Sequence, residues 1–226
     1  MTKTLIGYSL LATVLCCYGA DDPNKRLQES SEVLSETAGT GDKAIPRDLL
    51  AKSVCIVVIP SLKKGGFIVA AQYGSGFASC RVPGSWSAPS AMKMEGGSVG
   101  FQAGGQTTDI VMLVMNENGM KKLLGSKFAL GGEASIAAGP VGRDAAAMTD
   151  ATMKAEILTY SRAQGLFGGV SLKGSTLRTD EDVNKAIYGA ANSDPKAILS
   201  GKVPATPAAK EFLTKLNQYG GAGPKK

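Results

Sequence analysis

Histidine is absent from all 226 residues. That excludes the serine–histidine–carboxylate triad, imidazole acid–base chemistry and histidine-ligated metal centres at once. Aromatic residues are scarce at 6%, with a single tryptophan, Trp86. Basic residues are therefore not interleaved with the stacking rings that nucleic-acid surfaces use, and nucleic acid is not expected as a partner. Long apolar runs are missing too. The best, Leu5 to Cys17, falls short of the roughly 20 residues that a membrane span needs. No carboxylate run has calcium-loop spacing, so no metal or other cofactor is expected.

Glycine, by contrast, is plentiful at 29 residues, and 43% of the chain is apolar. This combination predicts one domain with tight turns and closely approaching backbones rather than a helical bundle. The net charge of +6 favours anionic partners without specifying one.

Five glycine-rich residues invite a catalytic reading. Gly96-Gly97-Ser98-Val99-Gly100 fits the G-x-S-x-G pattern of a hydrolase nucleophile elbow. Ser98 has no histidine to take its proton, and the nearest lysine, Lys93, lies five residues back. The segment also continues in β-like fashion where an elbow would turn into a helix. These are strand glycines, and no enzyme is expected. The glycines of 100–105 and 139–142 lack the strand, GK[ST] and helix context of a phosphate loop.

The N-terminus reads as a signal peptide over 1–20: Lys3, an apolar stretch, then small residues at Gly19 and Ala20. The protein is thus expected to be exported, periplasmic or secreted, with Cys16 or Cys17 as a candidate envelope anchor. Cys55 and Cys80 remain in the mature chain. One disulfide would suit an oxidising compartment, but a hairpin closing at Lys63-Lys64 would set Cys55 opposite Ala71. Two separate buried thiols are the favoured reading.

The remaining pattern predicts α+β, with an antiparallel, strand-rich core, barrel- or sandwich-like, and helices near both ends. Asp22-Pro23 opens a helix in the segment 21–44, and a second short helix covers Pro46 to Lys52. Strands are expected at Ser53–Ile59, stopped by Pro60, and at Phe67–Arg81, with a close approach marked by Gly74 and Gly76. Others are expected at Gly97–Gln102, Asp109–Met115, Phe128–Ala138, Met153–Ser161 and Gly165–Leu172. Asn116 caps a short helix, Thr179 with Asp182 forms a capping box, and Asp194-Pro195 and Thr206-Pro207 open two C-terminal helices within 191–220. Residues 221–226 read as a tail.

Several strings then occur in a recognisable order: "IPSLKKGGFIVAAQYGSG", "GSWSAPS", "GGSVGFQAGGQTTDIVMLV", "AAGPVGRDA", "YSRAQGLFGGVSLKGSTL" and "NKAIYG". Together they resemble the SYLF family of lipid-binding domains, whose eukaryotic members also regulate actin. The likeness covers about Ile45 to Gly189, consistent with a domain over 45–190. It implies non-catalytic binding of anionic phospholipid, phosphoinositide in the eukaryotic members. In those members a basic amphipathic segment before the domain contacts membrane, whereas here Lys25 and Arg26 are outweighed by Glu29, Glu32 and Glu36. The sequence carries no SH3 domain, and an exported protein does not meet cytosolic actin, so actin is not expected as a partner. The alternative is a structural or protein-interaction module holding another envelope protein.

Candidate head-group residues are Lys63 and Lys64 at an expected hairpin tip, Lys121 and Lys122 on the short helix, nearby Lys127, and Arg143 after a tight turn. Leu62 and Phe67 flank the first pair as candidates for membrane insertion. Phe212, Leu213 and Leu216 form a stripe on the last helix that reads as packing on its own domain.

Overall fold

The long apolar run "SVCIVVI" cannot be amphipathic in a strand of period two, so it must be covered on both faces. A computed structural model describes residues 22–39, 44–66, 69–99, 104–125, 127–142, 154–163 and 166–222. It places this run in β1 (Cys55–Gly66), between β2 (Val69–Val82) and β5 (Gly104–Val114). β4 (Ser90–Val99) follows β2, and β10 (Ser175–Thr179) and β6 (Lys127–Ala129) continue that side. β8 (Ile157–Ala163) and β7 (Ile136–Ala138) continue the other. β3 (Ser85–Trp86) pairs with β2, and β9 (Leu166–Gly169) with β8. All these pairings are antiparallel except β7 with β8, and the sheet curls into a half-barrel. The expected α+β class is the one found.

Alternate residues of β1 feed two cores. Ile56 and Val58 join Phe77, Val111, Leu113, Leu158 and Tyr160 beneath the terminal helices. Those helices are α1 (Pro23–Ala38), α2 (Arg47–Lys52) and the last helix, α6 (Lys210–Gly220). Cys55, Val57 and Ile59 join Met92, Met94, Met112, Phe128 and Leu177 on the other face. There α3 (Glu117–Leu123) and the curled edge strands provide the cover. α1 has few apolar residues, and small hydroxyls complete its buried face. Ser30, Ser31 and Thr37 are buried and donate to the carbonyls of Arg26, Leu27 and Val33 in the preceding turn.

Asp22 caps α1 with Pro23 in its first turn, and Asn116 caps α3, as their sequences predict. Elsewhere boundaries move. Asp180, not Thr179, caps α4 (Glu181–Tyr188), accepting from the Val183 N–H. The expected strand Phe128–Ala138 is broken, because Gly131 at φ +80° turns the chain between β6 and β7. The Thr206-Pro207 helix begins with a 3-10 turn at Pro207–Ala209 before α6. β10 lies outside the expected strands.

Pro60 does not stop its strand. Lacking an N–H, it sits in a one-residue bulge of β1, between Val58 and Lys63 against β2 and between Ile59 and Leu62 against β5. Ser61 takes the bulge conformation at φ +51°, and its N–H donates to Asp109 Oδ1 at 2.9 Å. Gly74 and Gly76 lie beside the bulge as the predicted close approach. A methyl on Gly76 would come 1.9 Å from the Val58 carbonyl oxygen. β1 then continues to Gly66, so Lys63 and Lys64 are mid-ladder residues rather than a hairpin tip.

This later closure also overturns the thiol reading. With the hairpin closing past Gly66 and one bulge in β1, Cys55 pairs with Cys80, and the two are joined as a disulfide in the second core.

Candidate functional site

Ser98 belongs to β4, with Ala70 as its β2 partner, and the strand runs on through Val99, so Ser98 sits within a strand rather than at a turn out of one. Lys93 lies about 16 Å along the same strand by strand rise. It is engaged with Asp180 at 3.0 Å. Neither a base nor an elbow is assembled. Among the described residues no group of histidine, cysteine or carboxylate side chains could hold a metal, and no helix is long and apolar enough to cross a membrane.

What the sheet does present is a sorted set of cations. Some are used internally. Arg162 donates through Nε and Nη2 to Asp109 Oδ2, at 3.1 and 2.9 Å, and pairs with Glu36 of α1. Burial pulls its pKa down, but the two carboxylates outweigh burial and raise it overall. Asp109 thus ties the bulge, through Ser61, to α1, through Arg162. Arg178 donates to Glu95 at 2.6 Å, and this hydrogen bond holds the Glu95 carboxyl below its usual range. Lys122 pairs with Glu156 at 2.5 Å, and Glu156 also accepts from the Ser135 N–H. The Lys122 bond is the main reason the Glu156 pKa is lowered. Lys122, expected to be a surface cation, is therefore committed to the fold.

Other cations have no ion-pair partner among the described residues. Lys63 is exposed, opposite Tyr73 on β2 and Thr107 on β5; Lys64 is half-buried, opposite Gln72 and Gln106. Consecutive strand residues point to opposite faces, so the two lysines do not act as a pair on one surface. Around them the β4–β2–β1–β5 ladder is built from glycine and alanine: Gly97, Ala71, Gly65 and Gly105 are successive partners across the four strands. Gly65 and Gly105 have open space where a Cβ would stand. Lys63 also borders a cleft of about 520 Å³ with Lys25, Asp22 and Glu29 of α1, and with Tyr73. Lys127 is exposed at the start of β6.

The expected insertion residues fare differently. Leu62 is only 4% exposed and belongs to the second core, so it is not an insertion residue. Phe67 and Arg143 lie outside the described residues, as does the segment 1–20 expected to be a leader. Among the described residues, the large apolar side chains left exposed are Leu166, at 72%, on the β8–β9 hairpin, and Tyr73, at 48%. On α6, Phe212 and Leu216 are fully buried, as a self-packing stripe requires.

Lys121 has company that the sequence did not suggest. It lines a cleft of about 580 Å³ with Lys196 and Lys202. Lys196 is on α5 (Pro195–Leu199), and Lys202 follows it in a turn. Gly201 takes φ +77° there. The Gly201 N–H reaches Ile198 O at 3.1 Å, and the Lys202 N–H reaches Ala197 O at 3.0 Å. This paired-bond C-terminal cap folds Lys202 back beside its own helix. The visible signal was a Gly-Lys step after a short helix, which no periodicity argument connects to Lys121, far upstream.

Comparison with known proteins places this architecture. The chain is 35% identical to the SH3 domain-containing YSC84-like protein 1 of Xenopus laevis over 180 residues, 79% of this chain and 53% of that protein. It is 38% identical to LAS seventeen-binding protein 3 of Saccharomyces cerevisiae over 173 residues, 74% of this chain and 37% of the relative. Protein YSC84 of the same yeast is 37% identical over 178 residues, 76% of this chain and 37% of the relative. The chain spans about half the length of these relatives, or less. Residues 95–219, more than half of the chain, match the Ysc84 family, described as "Las17-binding protein actin regulator". The chain therefore belongs to the Ysc84 family, the SYLF family that its ordered motifs resemble.

Proposed function

We propose that the protein is a non-catalytic module that binds anionic phospholipid at a membrane surface. The observation that carries this reading is the division of its cations. Lys93, Lys122, Arg162 and Arg178 are paired with carboxylates, whereas Lys63, Lys64, Lys121 and Lys127 have no such partner among the described residues. Each basic residue near an anionic leaflet contributes about 1 kcal/mol. Several must therefore act together, or be joined by an apolar side chain; the exposed Leu166 replaces Leu62 as the candidate for that role. Export through a leader at 1–20 is part of the proposal, and the bonded Cys55–Cys80 pair accords with an oxidising compartment.

The test is co-sedimentation with phosphatidylglycerol or cardiolipin vesicles against phosphatidylcholine. Preference for the anionic vesicles, weakened by added salt, is expected. Equal binding to both, or none to either, defeats the reading. Lys63→Glu with Lys64→Glu is expected to weaken binding, and Leu166→Ser to weaken it without changing its salt dependence. Intact mass of the protein recovered from its native envelope would show leader cleavage, and lipidation at Cys16 or Cys17.

A second reading, a protein-interaction module, is favoured by what relatives are called: a LAS seventeen-binding protein, within a family described as actin regulators. Recovery of one specific protein from envelope extracts, indifferent to lipid headgroup, would support it over the first.

A further inference from the structure

We infer that the cleft between α3 and α5 is a binding site for a phosphate-bearing anion, held by Lys121, Lys196 and Lys202. The two helices dock on the same core: Leu123 of α3 and Leu199 of α5 are both buried in the second cluster. Their outer faces diverge above it, and Leu124, Ala197 and Ser200 line the gap. Lys121, Lys196 and Lys202 are all exposed, and none has an ion-pair partner among the described residues.

One carboxylate borders the cleft, Asp194; it offsets one of the three positive charges, and its oxygens cap the start of α5. Oδ1 accepts from the Lys196 N–H at 3.3 Å and Oδ2 from the Ala197 N–H at 3.1 Å. The backbone donors at the start of α5 are thus taken, and the lysine ammoniums are left to supply the binding charge. Three lysines against one carboxylate leave an excess of positive charge around one concavity, and an anion offsets that excess while gaining its attraction. Three point-charge donors on flexible stems suit the several oxygens of a phosphate without demanding one fixed geometry. The lining Leu124 and Ala197 suit an anion that carries an apolar or glyceryl portion. The assignment deepens the membrane reading, and rests on it only for the anion's source: a lipid headgroup or a soluble phosphate.

The experiment uses the full chain and two variants of equal charge change. Lys196→Glu with Lys202→Glu alters the cleft. Lys185→Glu with Lys210→Glu, on α4 and α6, alters exposed cations away from it; unchanged thermal unfolding of both controls for folding. Inorganic pyrophosphate is titrated by amide NMR, and phosphatidylglycerol and phosphatidylcholine vesicles by sedimentation. The expected result is pyrophosphate-induced shifts at Lys121, Ala197 and Lys202, with affinity lowered about tenfold or more in the cleft variant and little changed in the control. Loss of vesicle binding in the cleft variant alone identifies the headgroup as the source. Loss of pyrophosphate binding with vesicle binding retained identifies a soluble phosphate. Should the wild-type chain ignore vesicles altogether, the membrane reading fails while the pyrophosphate arm still decides the cleft. Equal loss in both variants, or binding of neither probe, overturns the assignment.

Discussion

The guanidinium of Arg81 lies 4.4 Å from the ring centre of Trp86, and both side chains hold the same carbonyl, that of Gly221. Arg81 also donates to the carbonyls of Leu50, Ala51, Ser53 and Gly220, at 3.1, 2.9, 2.7 and 2.5 Å. The end of α2 and the end of α6 are thereby fastened to the β2–β3 hairpin by one side chain. Among the described residues no carboxylate shares in this; partial burial lowers the Arg81 pKa, while carbonyl dipoles and the indole face hold its charge.

Replacing Arg81 by lysine keeps the charge and removes the planar fork, which leaves several carbonyls without a donor. A loss of about 2–3 kcal/mol is expected, with Arg81→Ala costing at least as much. Urea unfolding measures it. A midpoint unchanged in Arg81→Lys would show that the carbonyl cluster contributes nothing.

The Cys55–Cys80 bond closes a loop of 25 residues. By loop-closure entropy its removal is expected to cost about 3 kcal/mol. The unreduced, denatured protein should yield a linked Cys55–Cys80 peptide by mass spectrometry, and the double serine variant should melt well below it. Free thiols at both positions in protein prepared without reductant would contradict the structure.

Two carboxylates make stability depend on acid. Glu156 is held low chiefly by its hydrogen bond from Lys122, and Glu95 by that from Arg178. A carboxylate whose folded pKa is depressed stabilises the fold above its unfolded pKa, about 4.3 for glutamate, and loses that contribution as pH falls through the folded value. Melting temperature should therefore be flat from pH 7 to about 5 and fall below about 4. In Glu156→Gln the acid slope should be shallower, because one of the two titrating groups is gone.

Two glycines on the strands that flank β1, one on β2 and one on β5, should respond oppositely to alanine. Gly76→Ala drives a methyl into the Val58 carbonyl and Ile59 Cα at the bulge, and a loss of more than about 3 kcal/mol, or no folding, is expected. Gly105→Ala meets open space and should change stability by no more than about 0.5 kcal/mol. Similar melting of the two variants would mean that the bulge yields more easily than its geometry implies.

Local chemistry was legible wherever one residue or one short pattern carries the physics. Asp22-Pro23, Asn116 and Asp194-Pro195 open helices because a side-chain oxygen meets a free N–H within three residues. "CIVVI" declared a strand covered on both faces, and Gly74 with Gly76 announced a close approach. The absence of histidine excluded the triad on composition alone.

Pairing between distant segments was not legible, because one residue of bulge or a few residues of turn alter every partner downstream. Pro60 signals a missing N–H equally well as a strand end or a bulge, and the two alternatives send Cys55 to different partners. Only the folded sheet, where Asp109 receives the Ser61 N–H and β1 continues to Gly66, chose the bulge and with it the disulfide. The same holds for surface charge. Lys122 and Lys121 are neighbours of one kind in the sequence, yet one meets Glu156 and the other faces Lys196 and Lys202. Composition determined that this chain is glycine-rich, positively charged and without histidine. Tertiary structure decided which of its cations remain unpaired, since ion pairing depends on distances that close only when remote strands and helices meet.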